Sequence, residues 1–94
     1  MMPLIVEEDY PLFLRGFPLD ARLPPEYHSW CANFAREDYS HRAAGMNTRH
    51  VLVRYAEVTG FLRRIGLKPS YPALETFASY VGRRELEQDV ARRR

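Results

Sequence analysis

Apolar residues recur at Val51, Tyr55, Val58, Leu62 and Ile65, with Leu52 and Thr59 widening the stripe. Steps of three and four keep such positions on one face of a helix. Arg49, Glu57, Gly60, Arg63 and Arg64 fall on the opposite face. Asn47 and Thr48 can cap the first free backbone N–H groups. Gly66, Leu67 and Pro69 are in the order of a left-handed glycine stop followed by an apolar residue that packs back on the last turn. The pattern predicts a helix over 47–67, and the rest of the chain is read around it.

Upstream, Tyr27, Trp30, Cys31, Phe34 and Ala35 make a second stripe. Pro24 and Pro25 suit its start, Glu26 suits the positive end of its dipole, and Gly45 with Met46 repeats the glycine stop. This predicts a helix over 24–44, with a bend or an end near Asp38 where Tyr39 and Ala43 continue the stripe poorly. The short Gly45–Asn47 connection predicts that the two helices form an antiparallel hairpin. A third helix is expected over 70–82, with Ser70 or Tyr71 as cap and Leu74, Phe77, Ala78 and Val81 on one face. Beyond Gly82, Leu86 and Val90 lie about a third of a turn off that face, at ~100° per residue. The tail 83–94 is therefore either frayed or a helix that meets something else.

The N-terminal end is harder to pattern. Leu4, Ile5 and Val6 could form a strand, but no second strand is evident, so residues 1–8 read as an extended arm. Residues 9–16 look like one or two helical turns, with Asp9 as cap, Pro11 in the first turn and a stop at Gly16, Phe17 and Pro18. The segment 1–23 is apolar and Pro-rich, with Tyr10, Leu12, Phe13, Leu14, Phe17, Leu19 and Leu23. It is either a lid that closes the core or a patch that stays exposed for a partner. The expected fold is all-α: one domain, 1–94, with a Pro-rich arm at 1–23, a helical core at 24–82 and a basic tail at 83–94.

Ninety-four residues bury a limited fraction of their unfolded surface, which makes association with another chain attractive. No apolar run approaches membrane-spanning length, and Glu7, Glu8 and Asp9 follow too closely on the first apolar residues for a secretory signal. Cys31 is the single cysteine, so no internal disulfide forms and a reducing cytoplasm is expected. Charge is uneven: residues 1–46 hold four Arg against seven acids, and 47–94 hold ten Arg/Lys against five. Thirteen of the fourteen basic residues are Arg. That suits forked contacts to carboxylate or phosphate, but the Arg-heavy codon usage of a GC-rich bacterial genome is the readier explanation.

Candidate chemistry is sparse. His28 with Cys31, and Asp38 with His41, have helical spacing for a shared ion, but each pair lacks half the ligands of a structural zinc site. Cys31 sits mid-stripe beside Trp30 and Phe34, where burial would make it inert as a nucleophile. No phosphate loop or nucleophile elbow is present, so neither enzyme activity nor a cofactor is expected. A helix-turn-helix docking fails because residues 72–81 contain no Arg, Lys, Asn or Gln to read base edges. Arg49, Arg54, Arg63, Arg64 and Lys68, with the tail arginines, remain as candidate phosphate contacts without sequence readout.

Protein association is the stronger expectation. Twelve aromatic residues and an Arg-rich, Lys-poor exterior match the composition of interfaces. The expected contact residues are Leu12, Phe13, Phe17, Phe61, Tyr80, Leu86 and Val90, with Arg at the rim. The expected role is a small regulatory interaction protein that covers a surface of a larger partner, or of itself as a homodimer. The alternative is an accessory protein that contacts nucleic-acid phosphates through its basic second half.

Overall fold

A computed structural model describes residues 1–18 and 20–92. Leu19, placed above in the apolar segment, and Arg93 and Arg94 of the basic tail lie outside the described residues. Two short strands, β1 (Met2–Ile5) and β2 (His50–Val53), pair in parallel with Met2 opposite His50 and Ile5 opposite Val53. Between them come a 3-10 turn at Glu7–Asp9 and helices α1 (Tyr10–Gly16) and α2 (Tyr27–Ala43). Helices α3 (Tyr55–Ile65) and α4 (Tyr71–Arg92) follow β2. The chain is mostly helical, as expected, but the strand pair corrects the all-α reading and the picture of three main helices.

The pairing explains why residues 1–8 are no loose arm. Parallel strands need a long crossover, so the partner of β1 comes from more than forty residues downstream. Met2 N–H donates to the Arg49 carbonyl at 2.8 Å, which turns the imide nitrogen of Pro3 away from β2, where no donor is required. Ile5, Val51 and Val53 are sealed on one face of the pair, and α4 packs against both strands. Leu52 points the other way and is half exposed. The 1–23 segment supplies Met2, Ile5, Tyr10, Phe13, Phe17 and Leu23 to the buried core.

The 47–67 helix is corrected to strand, junction and helix. Val51 and Val53 are β-branched and bury at a period of two, which suits a strand. The three- and four-residue spacing carries across the junction because Val51 and Tyr55 both face inward. Arg54, with extended backbone angles, stands at the N-cap of α3, while Asn47 and Thr48 lie outside any helix. The far end is as predicted: Gly66 has φ 73°, Leu67 N–H donates to the Leu62 carbonyl at 3.0 Å, and Gly66 N–H to that of Arg63 at 3.3 Å. Gly45 repeats this, with φ 80° and Met46 N–H on the His41 carbonyl at 2.9 Å.

The predicted α2–α3 hairpin is also corrected. β2 occupies the return path from α2, and α3 packs on α4. α2 runs on past Asp38 to Ala43 and is anchored mainly by Trp30, which is buried beside Tyr10, Tyr27 and Phe34. The Tyr27 hydroxyl donates to the Ile5 carbonyl at 2.6 Å, which ties α2 to the open side of β1. Ser70 caps α4, as expected, by accepting a bond from Ala73 N–H at 3.1 Å. α4 continues through Gly82, whose missing Cβ makes room for the Met1 side chain. The tail is therefore helical as far as Arg92, but every residue from Arg83 to Arg92 is exposed.

Gly16 is a different device from Gly45 and Gly66. It is the last residue of α1 and has no positive φ, and a Cβ there would stand 2.0 Å from the Tyr55 hydroxyl oxygen. The Tyr55 ring is hemmed in by Phe13 and Phe17 and has little room to yield. Gly16→Ala is therefore expected to destabilise the fold by about 1–3 kcal/mol in urea unfolding, against the usual helical gain from this change. No helix among the described residues is long and apolar enough to cross a membrane.

Candidate functional site

Two carboxylates, Asp9 buried and Asp38 partly exposed, join elements of the fold. Asp9, which is 8% exposed, accepts bonds from Arg54 Nε at 3.0 Å and Nη2 at 3.1 Å, and from the Tyr55 N–H at 2.9 Å. It caps α3 from a distance and clamps the 3-10 turn to the end of β2. The forked Arg54 contact, reinforced by the Tyr55 N–H, holds its pKa below the ordinary value. Asp38 accepts the Thr48 hydroxyl at 2.6 Å, lies 3.0 Å from His50 Nε2 and receives Arg42 Nε at 3.1 Å. These partners, the Thr48 hydroxyl first, lower its pKa as well. Asp38 thus joins α2 to the segment leading into β2.

These placements bear on the candidate chemistry. Asp38 engages His50, not its helical neighbour His41. His28 is well exposed and pairs with Glu26, while Cys31 packs against the core cluster with Trp30 and Phe34. No group of three His, Cys, Asp or Glu side chains able to hold a metal ion occurs among the described residues. A cleft of about 170 Å³ brings Glu37, His41 and Glu75 near Met46 and Tyr71, with room for a few waters.

The candidate phosphate contacts are dispersed. Arg49 pairs with Glu85 at 3.0 Å and Arg54 with Asp9, so both already have carboxylate partners. Arg63 and Arg64 are exposed in the last turn of α3, about 100° apart around its axis. Lys68 is exposed in the loop before α4.

The candidate contact residues separate into three groups. Phe13 and Phe17 are 0% and 5% exposed and belong to the core, where their rings pack at a tilt to each other and Phe13 meets Tyr55 edge-on. As interface residues they are corrected: α1 turns both rings inward, where they meet the Tyr55 ring in the core cluster. Leu12 stays at the surface of α1, and Leu86 and Val90 line a shallow apolar strip on the projecting end of α4. Phe61 and Tyr80 come together. Their rings stack at 5.1 Å in a groove between α3 and α4, with Phe77 5.2 Å behind Phe61.

That groove has a volume of about 730 Å³. α3 contributes Ala56, Glu57, Gly60, Phe61, Arg64 and Ile65; α4 contributes Phe77, Tyr80, Val81 and Arg84. Ile65 and Tyr80 are each nearly half exposed, and the Arg84 guanidinium lies 5.8 Å from the Tyr80 ring centre. The result is an apolar, aromatic floor with arginine at its rim. Sequence reasoning found Phe61, Tyr80 and Arg64 but missed Ala56, Gly60, Ile65 and Arg84. Ile65 falls on the apolar stripe that predicts a core face, and a glycine on the opposite, polar face of that helix is the clue that the sequence offers. No family model, no curated protein and no solved structure matches this chain.

Proposed function

We propose that this chain is a small, non-catalytic protein-association module, regulatory in role, that works through the α3–α4 groove. The observation that carries this reading is the open Phe61–Tyr80 stack between exposed Ile65 and the arginines Arg64 and Arg84. Aromatic and aliphatic floors with arginine rims are what protein interfaces are made of. A groove between two helices accepts an amphipathic helix, whose apolar side chains fill the floor at spacings of three and four. The polar clusters support the same reading, since the Asp9 and Asp38 carboxylates are spent on joining elements of the fold. Arg49 and Arg54 are likewise engaged by carboxylates, which favours a protein surface over a nucleic-acid backbone as the ligand.

Site-specific photocrosslinking in the native cell tests the proposal. A photoreactive side chain in place of Arg64 is expected to form protein adducts, whereas one in place of exposed His28 on α2 is not. Absence of any protein adduct from position 64 overturns the reading.

A further inference from the structure

We infer that the occupant of the groove is a second copy of this chain, with α3 lying antiparallel on α3 of its partner across a two-fold axis between Gly60 and Phe61. The inference rests on the reading of the groove as a protein-binding surface and adds the identity and register of what fills it.

The register comes from the six residues that α3 gives to the groove. In an antiparallel helix pair centred between Gly60 and Phe61, each residue meets the one equally far on the other side of the centre. Gly60 then receives the Phe61 ring, Ala56 receives the Ile65 side chain, and Glu57 faces Arg64, each from the opposite copy. Two of these pairings set a small side chain against a large one, and the third sets an acid against a base. A two-fold axis repeats every pairing, so the surface is complementary to itself, as an isologous dimer requires. Such a dimer closes and leaves no surface for further growth.

Gly60 is an independent pointer. It lies in the middle of α3 without a positive φ, and nothing stands within 4 Å of the position its Cβ would take. The single chain has space there for a side chain, and glycine is unfavourable relative to alanine in a helix interior. Gly16 and Gly82, by contrast, each make room for a side chain of the same chain. Close approach of an outside group is the remaining use for a helical glycine. Glu57 and Arg64 are also exposed and separated by seven residues of helix, too far apart to satisfy one another along the same face as directly as neighbours at three or four.

Sedimentation and light scattering over a range of concentrations, with circular dichroism as a check on folding, read the outcome. The native chain is expected to move from one to two copies with rising concentration. Glu57→Arg or Arg64→Glu alone should weaken dimerisation by ~10-fold, since each change turns two attractions into repulsions. The double variant Glu57→Arg/Arg64→Glu should recover most of that loss. Gly60→Leu should abolish the dimer while the helical signal of the monomer is kept. A chain that stays monomeric to ~1 mM, a dimer that survives Gly60→Leu, or a double variant without recovery overturns the inference. Adducts from position 64 made solely with a different protein would sink it while leaving the groove reading intact; no adducts at all would remove both.

Discussion

Phe13→Ala is expected to lower the free energy of unfolding by about 3–5 kcal/mol. Phe13 is 0% exposed, and its ring stands 5.3 Å from Phe17 and 5.2 Å from Tyr55, edge-on to the latter. Truncation removes the apolar area of the ring and leaves a cavity that its neighbours cannot collapse into, since Tyr55 is also confined by Gly16. A domain of this length carries about 5–14 kcal/mol in total, so the loss takes a large share. Urea unfolding should give the same loss at low and high protein concentration, because the contacts lie within one copy. A variant with unchanged monomer stability and weaker association would put Phe13 at an interface and overturn its placement in the core.

Asp9→Asn is expected to cost about 2–3 kcal/mol at neutral pH. The amide keeps the size of the carboxylate but loses the charge that Arg54 and the start of α3 both address. The figure sits below that of a fully buried ion pair because Arg54 is partly exposed and solvent screens it. The pH dependence follows from the sign of the shift. The folded-state pKa of Asp9 lies below its ordinary 3.8, so the unfolded chain binds the proton more readily. Its contribution is complete above that ordinary value and is lost as pH falls toward the folded one. Asp38 acts in the same direction. Acid unfolding followed by circular dichroism should therefore be shallower in Asp9→Asn than in the native chain, with Asp38 and Asp20, whose pKa the Arg22 side chain lowers, contributing to the residual slope. Equal slopes would show that the Arg54 fork contributes nothing to folding.

Local signals were legible where their chemistry is complete within a few residues. The stops at Gly45 and Gly66 need only a residue tolerant of positive φ and an apolar successor, and both are found. Ser70 caps α4 through the N–H three residues on, a bond that the spacing alone predicts. Gly16 carries the same local signature and α1 does end there, but without a positive φ: the glycine serves a contact with Tyr55, thirty-nine positions away, which no local signal announces. The strand at His50–Val53 is hidden from local pattern for the same kind of reason. Four residues cannot declare a period, and each residue's partner in the other strand is forty-eight positions away.

The candidate groove divides along the same line. Phe61, Tyr80 and Arg64 could be named from composition and from their position off the core stripes. That Phe61 and Tyr80 stack while Phe13 and Phe17 are buried depends on how α1 meets the Tyr55 ring and α3 lies along α4. By itself, the order of residues determined a small helical protein, the glycine ends of two helices, the cap of a third and a surplus of aromatic side chains. Tertiary structure decided that two distant four-residue segments pair as strands, that Asp9 replaces a local cap for α3, and which aromatics are left open. The reason is range: capping and helical periodicity act over three or four residues, whereas strand pairing, ion pairing and burial depend on neighbours that only the folded chain brings together.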